Sequence, residues 1–287
     1  MRGRAEAPAA GTVLNALATG EGSAFALDEY VSATVEFDGR EGVDGEVHDD
    51  PEADTALIER CASLVAEEFG DSEGGLVRTE SEIPMASGLK SSSAAANATV
   101  LAALDALDVE VGENATLDRT EAARIGVRAA REVGVTVTGA FDDAAASMLG
   151  GVVVTDNETD ELLSREPFDR AALVWTPPER AYSADADVDR CRLIAPVAET
   201  VADLALAGSY GQAMNVNGLA YCAALEFPTE PMLEAMAAAD GVSLSGTGPS
   251  YVAVGDREAL ATVRDAWKKR EGTTWMTHTQ NDGARIS

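Results

Sequence analysis

The segment Pro84-Met85-Ala86-Ser87-Gly88-Leu89-Lys90-Ser91-Ser92-Ser93-Ala94 places a glycine, a lysine and three serines directly ahead of an alanine-rich helical run. Gly88 lacks a Cβ and lets backbone approach a ligand closely. The serine hydroxyls, with the unpaired N–H groups that open the next helix, make a cradle suited to phosphate. The chain has 50 acidic residues and only three lysines, and two of these, Lys268 and Lys269, lie far along the sequence. A chain that has nearly abandoned lysine therefore keeps Lys90 inside this loop. The competing reading is an ordinary serine-capped helix after a Pro/Gly loop. The Walker pattern Gly-x-x-x-x-Gly-Lys-Ser/Thr is excluded, because no Gly-Lys pair occurs in the chain.

Composition narrows the partners. The net charge of −29 makes nucleic acid an unsuitable ligand, since phosphate backbones bind basic surfaces. Acidity combined with few lysines and retained arginines points to a protein adapted to high cytoplasmic salt, where self-repulsion is screened. Aromatics are 5% of the chain, so the core rests on Ala, Val and Leu. Cys61, Cys191 and Cys222 are scattered and odd in number, which suits small core residues in a reducing cytosol rather than a disulfide framework. With only His48 and His278, a histidine metal site or Ser-His-Asp triad is not expected. No apolar run reaches the ~18 residues of a membrane span, and the N-terminal stretch lacks the continuous apolar run of a signal peptide. A cytoplasmic location is the expectation.

The elements that must hold the loop follow from periodicity. Tyr30–Phe37 alternates like a strand, and 38–50 reads as a solvated Gly/Asp-rich turn. Asp54–Phe69 has helical spacing. Gly75–Glu80 is a strand leading into Pro84, and a helix runs from about Ser92 to Leu107. A second helix covers about Leu117–Val133, with Thr116 as its cap. Val135–Thr138 is short and β-branched, and Val152–Asp156 is a strand. The polar stretch Asp156–Pro167 is the expected boundary, giving domains 1–160 and 161–287. Beyond it come a strand at Ala171–Thr176 and helices at Val188–Ala207, Gly208–Leu225 and Pro231–Ala239. A strand at Tyr251–Val254, a helix at Arg257–Lys269 and a strand at Thr273–Thr279 complete the chain. Strands and helices mix without regular βα alternation, so the fold class is α+β.

The loop resembles the second motif of the GHMP kinases, roughly Pro-x-x-x-Gly-Leu-Gly-Ser-Ser-Ala. Pro84, Gly88, Leu89, Ser91, Ser92 and Ala94 fit it. Lys90 replaces the second glycine and Ser93 the alanine, and in that departure SGLKSSSAAANA is similar to the archaeal-type shikimate kinase branch. Ser245-Gly246-Thr247-Gly248-Pro249-Ser250 resembles the third, Gly-rich motif. Gly11–Gly20 resembles the first, and Thr138–Ala144 the segment carrying the catalytic aspartate. The resemblance implies a ribosomal protein S5-like N-terminal domain, a ferredoxin-like C-terminal domain, and ATP, Mg²⁺ and substrate bound between them.

Site residues follow from the resemblance. Backbone N–H groups from Ser87 to Ser93 should meet the ATP phosphates, and Ser92 aligns with the family serine that helps hold Mg²⁺. Lys90 binds a phosphate as a point charge or anchors the loop through an ion pair; the phosphate role is favoured. Gly246 and Gly248 let the third motif pack on the loop. Asp142 is the expected general base, ahead of Asp143. Glu132 lies near the spacing of a family Mg²⁺ glutamate, with a solvated helix-end residue as the other reading. A bidentate arginine would suit the shikimate carboxylate, and Arg180, Arg190 and Arg192 are the candidates. Asn15 and Asp28 are placed to meet hydroxyls. The implied reaction is ATP-dependent phosphorylation of shikimate at its 3-hydroxyl, in aromatic amino-acid synthesis. The alternatives are homoserine kinase or another small-molecule member of the family, and a non-catalytic sensor of the same fold.

Overall fold

A computed structural model describes residues 1–48, 50–82, 88–179 and 186–287. Two long antiparallel strands, β1 (Arg2–Leu14) and β2 (Glu21–Arg40), form its spine. β2 pairs along its second half with β4 (Gly74–Ser81) and along its first residues, Glu21–Phe25, with β5 (Val152–Asp156). β3 (Val43–Val47) adds in parallel to β4, and β6 (Glu161–Glu166) pairs with β5. β11 (Arg285–Ile286) returns from the chain end to pair with β1. A second antiparallel sheet has the order β10 (Thr273–His278), β7 (Ala171–Thr176), β9 (Tyr251–Gly255), β8 (Gly241–Leu244).

The first sheet is covered by α1 (Ala56–Phe69), α2 (Ser91–Ala106) and α4 (Phe141–Leu149), and α3 (Arg119–Glu132) packs outside on these helices. α2 is central and is buried on nearly every side, which its alanines permit. The approach is close: a Cβ on Gly3 of β1 would come within 2.1 Å of the Ala102 carbonyl oxygen. The alternation of strand side chains lets β7 serve two cores. Ala172 and Val174 join the large core shared with α6 (Ala195–Leu206) and the first half of α7 (Tyr210–Ala224). Leu173 and Trp175 join the smaller core with α8 (Glu230–Met236) and α9 (Arg257–Trp267).

The mixed α+β class and most elements match expectation. The division drawn at 160/161 falls between β5 and β6, two strands of one sheet. The stretch 38–50 is not all turn: Val43 and Val47 alternate toward the core, and the open edge of β4 supplies their ladder. α3 starts at Arg119 rather than after Thr116, because Asp118 and Glu121 form a reciprocal capping box that satisfies the first N–H groups. The expected helix at Val188–Ala207 is two, α5 (Val188–Arg192) and α6, with Pro196 in the first turn of the second, where its missing N–H costs nothing. Val135–Thr138 is not a strand; it runs as irregular chain along a cleft.

Candidate active site

A cleft of about 630 Å³ opens between α1, α2, the segment 134–140, the start of α4 and the turn at 246–247. One end is apolar, walled by Leu57, Ile58, Val127, Val135 and Val137. The other gathers Lys90, Ser91, Ser92, Ser93, Asp142, Asp143 and Gly246. Lys90 is the single cation among the described lining residues, which otherwise include five carboxylates: Asp50, Glu52, Asp54, Asp142 and Asp143.

The loop meets the third motif at Gly88. Gly88 has φ +82°, and a Cβ there would lie 2.4 Å from the Ser245 carbonyl oxygen and 2.7 Å from that of Gly248. Ser245 Oγ donates to the Gly88 carbonyl at 2.8 Å. Leu89, buried beneath the loop, accepts from the Ala10 N–H at 3.2 Å. Lys90, in the left-handed conformation, precedes α2, and its side chain makes no capping hydrogen bond. Among the described residues, the first N–H groups of α2, on Ser91, Ser92 and Ser93, meet no side-chain acceptor, at the end where the helix dipole is worth about +0.5 charge. Ser92 is exposed into the cleft, and Ala94 is buried. Such a terminus fits a triphosphate.

Asp142 and Asp143 open α4 and are both buried, at 4% and 7% exposure. Lys90 Nζ lies 2.8 Å from each Asp143 carboxylate oxygen. Burial and the adjacent Asp142 carboxylate push the Asp143 carboxyl above the usual range, and Lys90 pulls it back. Gly246, at φ +58°, makes room for this pair, since a Cβ there would sit 3.0 Å from Nζ. Asp142 has a different partner: Asn157 Nδ2 donates to its Oδ1 at 2.7 Å. Gly22 of β2 leaves the space beside it, as a Cβ there would come within 2.6 Å of Asp142 Cγ and Oδ2.

Asn15 lines the cleft, and its side chain is a junction between the two halves of the chain. Its Nδ2 donates to the Gly246 carbonyl at 2.8 Å and its Oδ1 accepts from the Leu17 N–H at 2.9 Å. The Asn15 N–H donates to Asn217 Oδ1 at 3.0 Å, and Thr12 Oγ1 accepts from the Gly246 N–H at 2.8 Å.

Other expected site residues lie elsewhere. Glu132, at the end of α3, is paired with Arg60 at 2.5 Å and does not line the cleft, which corrects its place as a metal ligand. Asp28 is exposed on β2, outside the cleft. Arg190 closes the end of α7, donating to the Ala224 and Ala223 carbonyls at 2.8 and 3.0 Å, and Arg192 pairs with Asp189 on the surface. Gly248 does not line the cleft: its carbonyl faces Gly88 of the loop, and a Cβ on it would meet the Phe227 ring. Pro84, Met85, Ala86, Ser87 and Arg180 lie outside the described residues. Asn157 and Asn217 escaped the sequence reading because an asparagine beside a turn, or within an Ala-rich helix, carries no local sign of a distant partner.

Residues 56–151 match the family model for the GHMP kinases N terminal domain, and 204–272 that for GHMP kinases C terminal. The shikimate kinase of Halobacterium salinarum is 64% identical over 288 residues, covering all of both chains. That of Methanosarcina mazei is 51% identical over 99% of this chain and 96% of its own. Among solved structures, the homoserine kinase of Cytophaga hutchinsonii superposes with a TM-score of 0.77 at 17% identity, covering 100% of this chain and 97% of its own. The Methanococcus jannaschii mevalonate kinase does so with a TM-score of 0.75 at 14% identity, covering 97% and 98%. At those identities the likeness concerns the fold. Among the described residues no helix is long and apolar enough to cross a membrane.

Proposed function

The chain belongs to the GHMP kinase family, and on that footing we propose that it is a shikimate kinase, transferring the ATP γ-phosphoryl group to the 3-hydroxyl of shikimate. The observation that carries this reading is 64% and 51% identity, over all or nearly all of the chain, to two archaeal shikimate kinases, beside the Lys90 form of the loop in this sequence. Homoserine kinase is the alternative acceptor assignment. A sensor without turnover is disfavoured by a chain that keeps both the loop serines and Asp142.

Bound ATP supplies the transferable phosphoryl group, and Mg²⁺ offsets the charge on its oxygens. The protein's task is positioning and neutralisation. The N–H groups of Ser91–Ser93 and the α2 dipole hold the phosphates, and the Ser92 hydroxyl faces the cleft where it would join the Mg²⁺ shell. The apolar end of the cleft suits a base. Lys90, held by Asp143, places a fixed positive charge at the reacting end, so the ion-pair and phosphate roles are compatible. Asp142 accepts the proton of the substrate hydroxyl as the new P–O bond forms. Of the three arginines considered for the substrate carboxylate, Arg190 and Arg192 are committed elsewhere, so Arg180 carries that assignment forward.

The test is ADP release in molar KCl with shikimate, homoserine or mevalonate as acceptor. Turnover with shikimate is expected. Turnover with homoserine and none with shikimate would overturn the substrate while leaving the family intact. Arg180→Ala should raise KM for shikimate and leave KM for ATP unchanged.

A further inference from the structure

Two carboxylates open α4, and the protein ties each to a different partner. Asp143 is held by Lys90. Asp142 is held by Asn157, one residue beyond β5 and only 1% exposed. The orientation of the Asn157 amide is dictated by its neighbours. The Asp142 backbone N–H, which can only donate, meets Asn157 Oδ1 at 3.1 Å, and Thr155 Oγ1 donates to the same oxygen at 2.7 Å. Oδ1 is the only acceptor on that side chain, so Nδ2 must face the other way, toward Asp142 Oδ1 at 2.7 Å.

The backbone of Asn157 is pinned as well. Its N–H donates to the Gly20 carbonyl at 2.9 Å, and its carbonyl accepts from Arg131 Nη2 at 2.9 Å. Arg131 is itself clamped by Asp160 at 2.6 Å. Asp142 is thus gripped at two points, its N–H and its Oδ1, by one rigid amide. Its Oδ2 accepts no hydrogen bond from the described residues; it packs close on Gly22, where a Cβ would come within 2.6 Å, and Asp142 lines the cleft.

We propose that Asn157 is a positioning residue for phosphoryl transfer: it occupies Asp142 Oδ1 and so presents Oδ2 to the substrate hydroxyl. This rests on the reading of Asp142 as the base. A misplacement of order 1 Å at a reacting group costs about 10²-fold in rate, and a neutral donor on a charged acceptor is among the stronger hydrogen bonds. Asn157 therefore acts through the geometry of Asp142 and not through contact with substrate.

The experiment measures kcat and both KM values for Asn157→Ala, Thr155→Val, Asp142→Asn and the Asp142→Asn/Asn157→Ala double variant. Asn157→Ala should lower kcat by about 10- to 100-fold with both KM values within about threefold of the parent, the sign of an interaction used only in the transition state. In the Asp142→Asn background the same change should cost less than about twofold, because residues acting as a unit are non-additive. Equal losses in both backgrounds would show a purely structural role and overturn the proposal. So would an Asn157→Ala variant with parental kcat. If Asn157→Ala does not fold, Thr155→Val decides: it keeps the amide and removes one of its two anchors, and kcat should fall about 3- to 10-fold with KM unchanged, whereas parental kcat overturns the proposal. If Asp142→Asn itself retains kcat, the base reading fails and takes this proposal with it, an outcome distinct from loss in Asp142→Asn with none in Asn157→Ala.

Discussion

Lys90 pairs with Asp143 and not with Asp142, although the two carboxylates are adjacent in the chain. Its Nζ sits 2.8 Å from both Asp143 oxygens. Successive residues on the first turn of a helix point about 100° apart, so one faces the loop and the other faces β5 and its turn. The division separates a charge-holding carboxylate from one whose free oxygen can take a proton.

Asp142→Asn should keep KM for ATP near the parent value and lose about 10²- to 10⁴-fold in kcat, the usual cost of removing a general base. Steady-state kinetics with shikimate check it. Loss in Asp143→Asn with none in Asp142→Asn would reverse the assignment within the pair.

Lys90→Met should slow transfer, and its stability should worsen as pH rises. Asp143 has a raised carboxyl pKa in the folded protein even with Lys90 present, and removing Lys90 raises it further. A group that binds its proton more tightly when folded favours folding at low pH. That contribution is full below the unfolded value near 3.8 and is lost as pH climbs through the folded one. The stability gap between Lys90→Met and parent, followed by melting temperature, should therefore widen from pH 4 to 8, toward the ~3–5 kcal/mol of a broken buried pair. A gap that is constant with pH would refute the pairing.

Gly88→Ala should raise KM for ATP about tenfold or more and lower the melting temperature. The added methyl meets the Ser245 carbonyl oxygen at 2.4 Å on a backbone at φ +82°, and strain of this kind costs about 1–3 kcal/mol. Differential scanning fluorimetry with and without ATP separates loss of fold from loss of the phosphate seat.

Glu132→Gln should leave kcat and the Mg²⁺ requirement unchanged. Glu132 meets Arg60 on the surface, a pair whose loss costs ~1 kcal/mol or less. A shifted Mg²⁺ titration would return Glu132 to the site.

Melting temperature should rise with KCl from 0.05 to 3 M, with low activity in dilute buffer recovered in molar salt. At low ionic strength a chain with 50 acids against 21 bases opposes its own compaction. Screening is largely complete by about 1 M, where the Debye length is ~3 Å. Further gain comes from salts that strengthen apolar burial, on which a core of Ala, Val and Leu depends. A flat melting curve series would remove the halophilic reading and leave the kinase assignment standing.

What the sequence by itself determined was everything carried by contiguous residues. The loop at 84–94, the glycines at 246 and 248, the aspartate pair and the helical or alternating runs each announce themselves within a dozen positions, because hydrogen bonds to backbone and periodic burial are local demands. The family and the fold class followed from them. Only the tertiary structure decided which partner each polar group takes. Lys90 and Asp143 are 53 residues apart, and Asn15 and Gly246 are 231. Asn157 sits in a stretch that reads as an ordinary turn, and Glu132 has a family-like spacing but points to Arg60. β3 and β11 form because a neighbouring strand offers an open edge, which no local pattern reveals. Partner choice depends on where rigid elements bring side chains in space, and a single chain's order of residues records the demand for a partner without recording the partner.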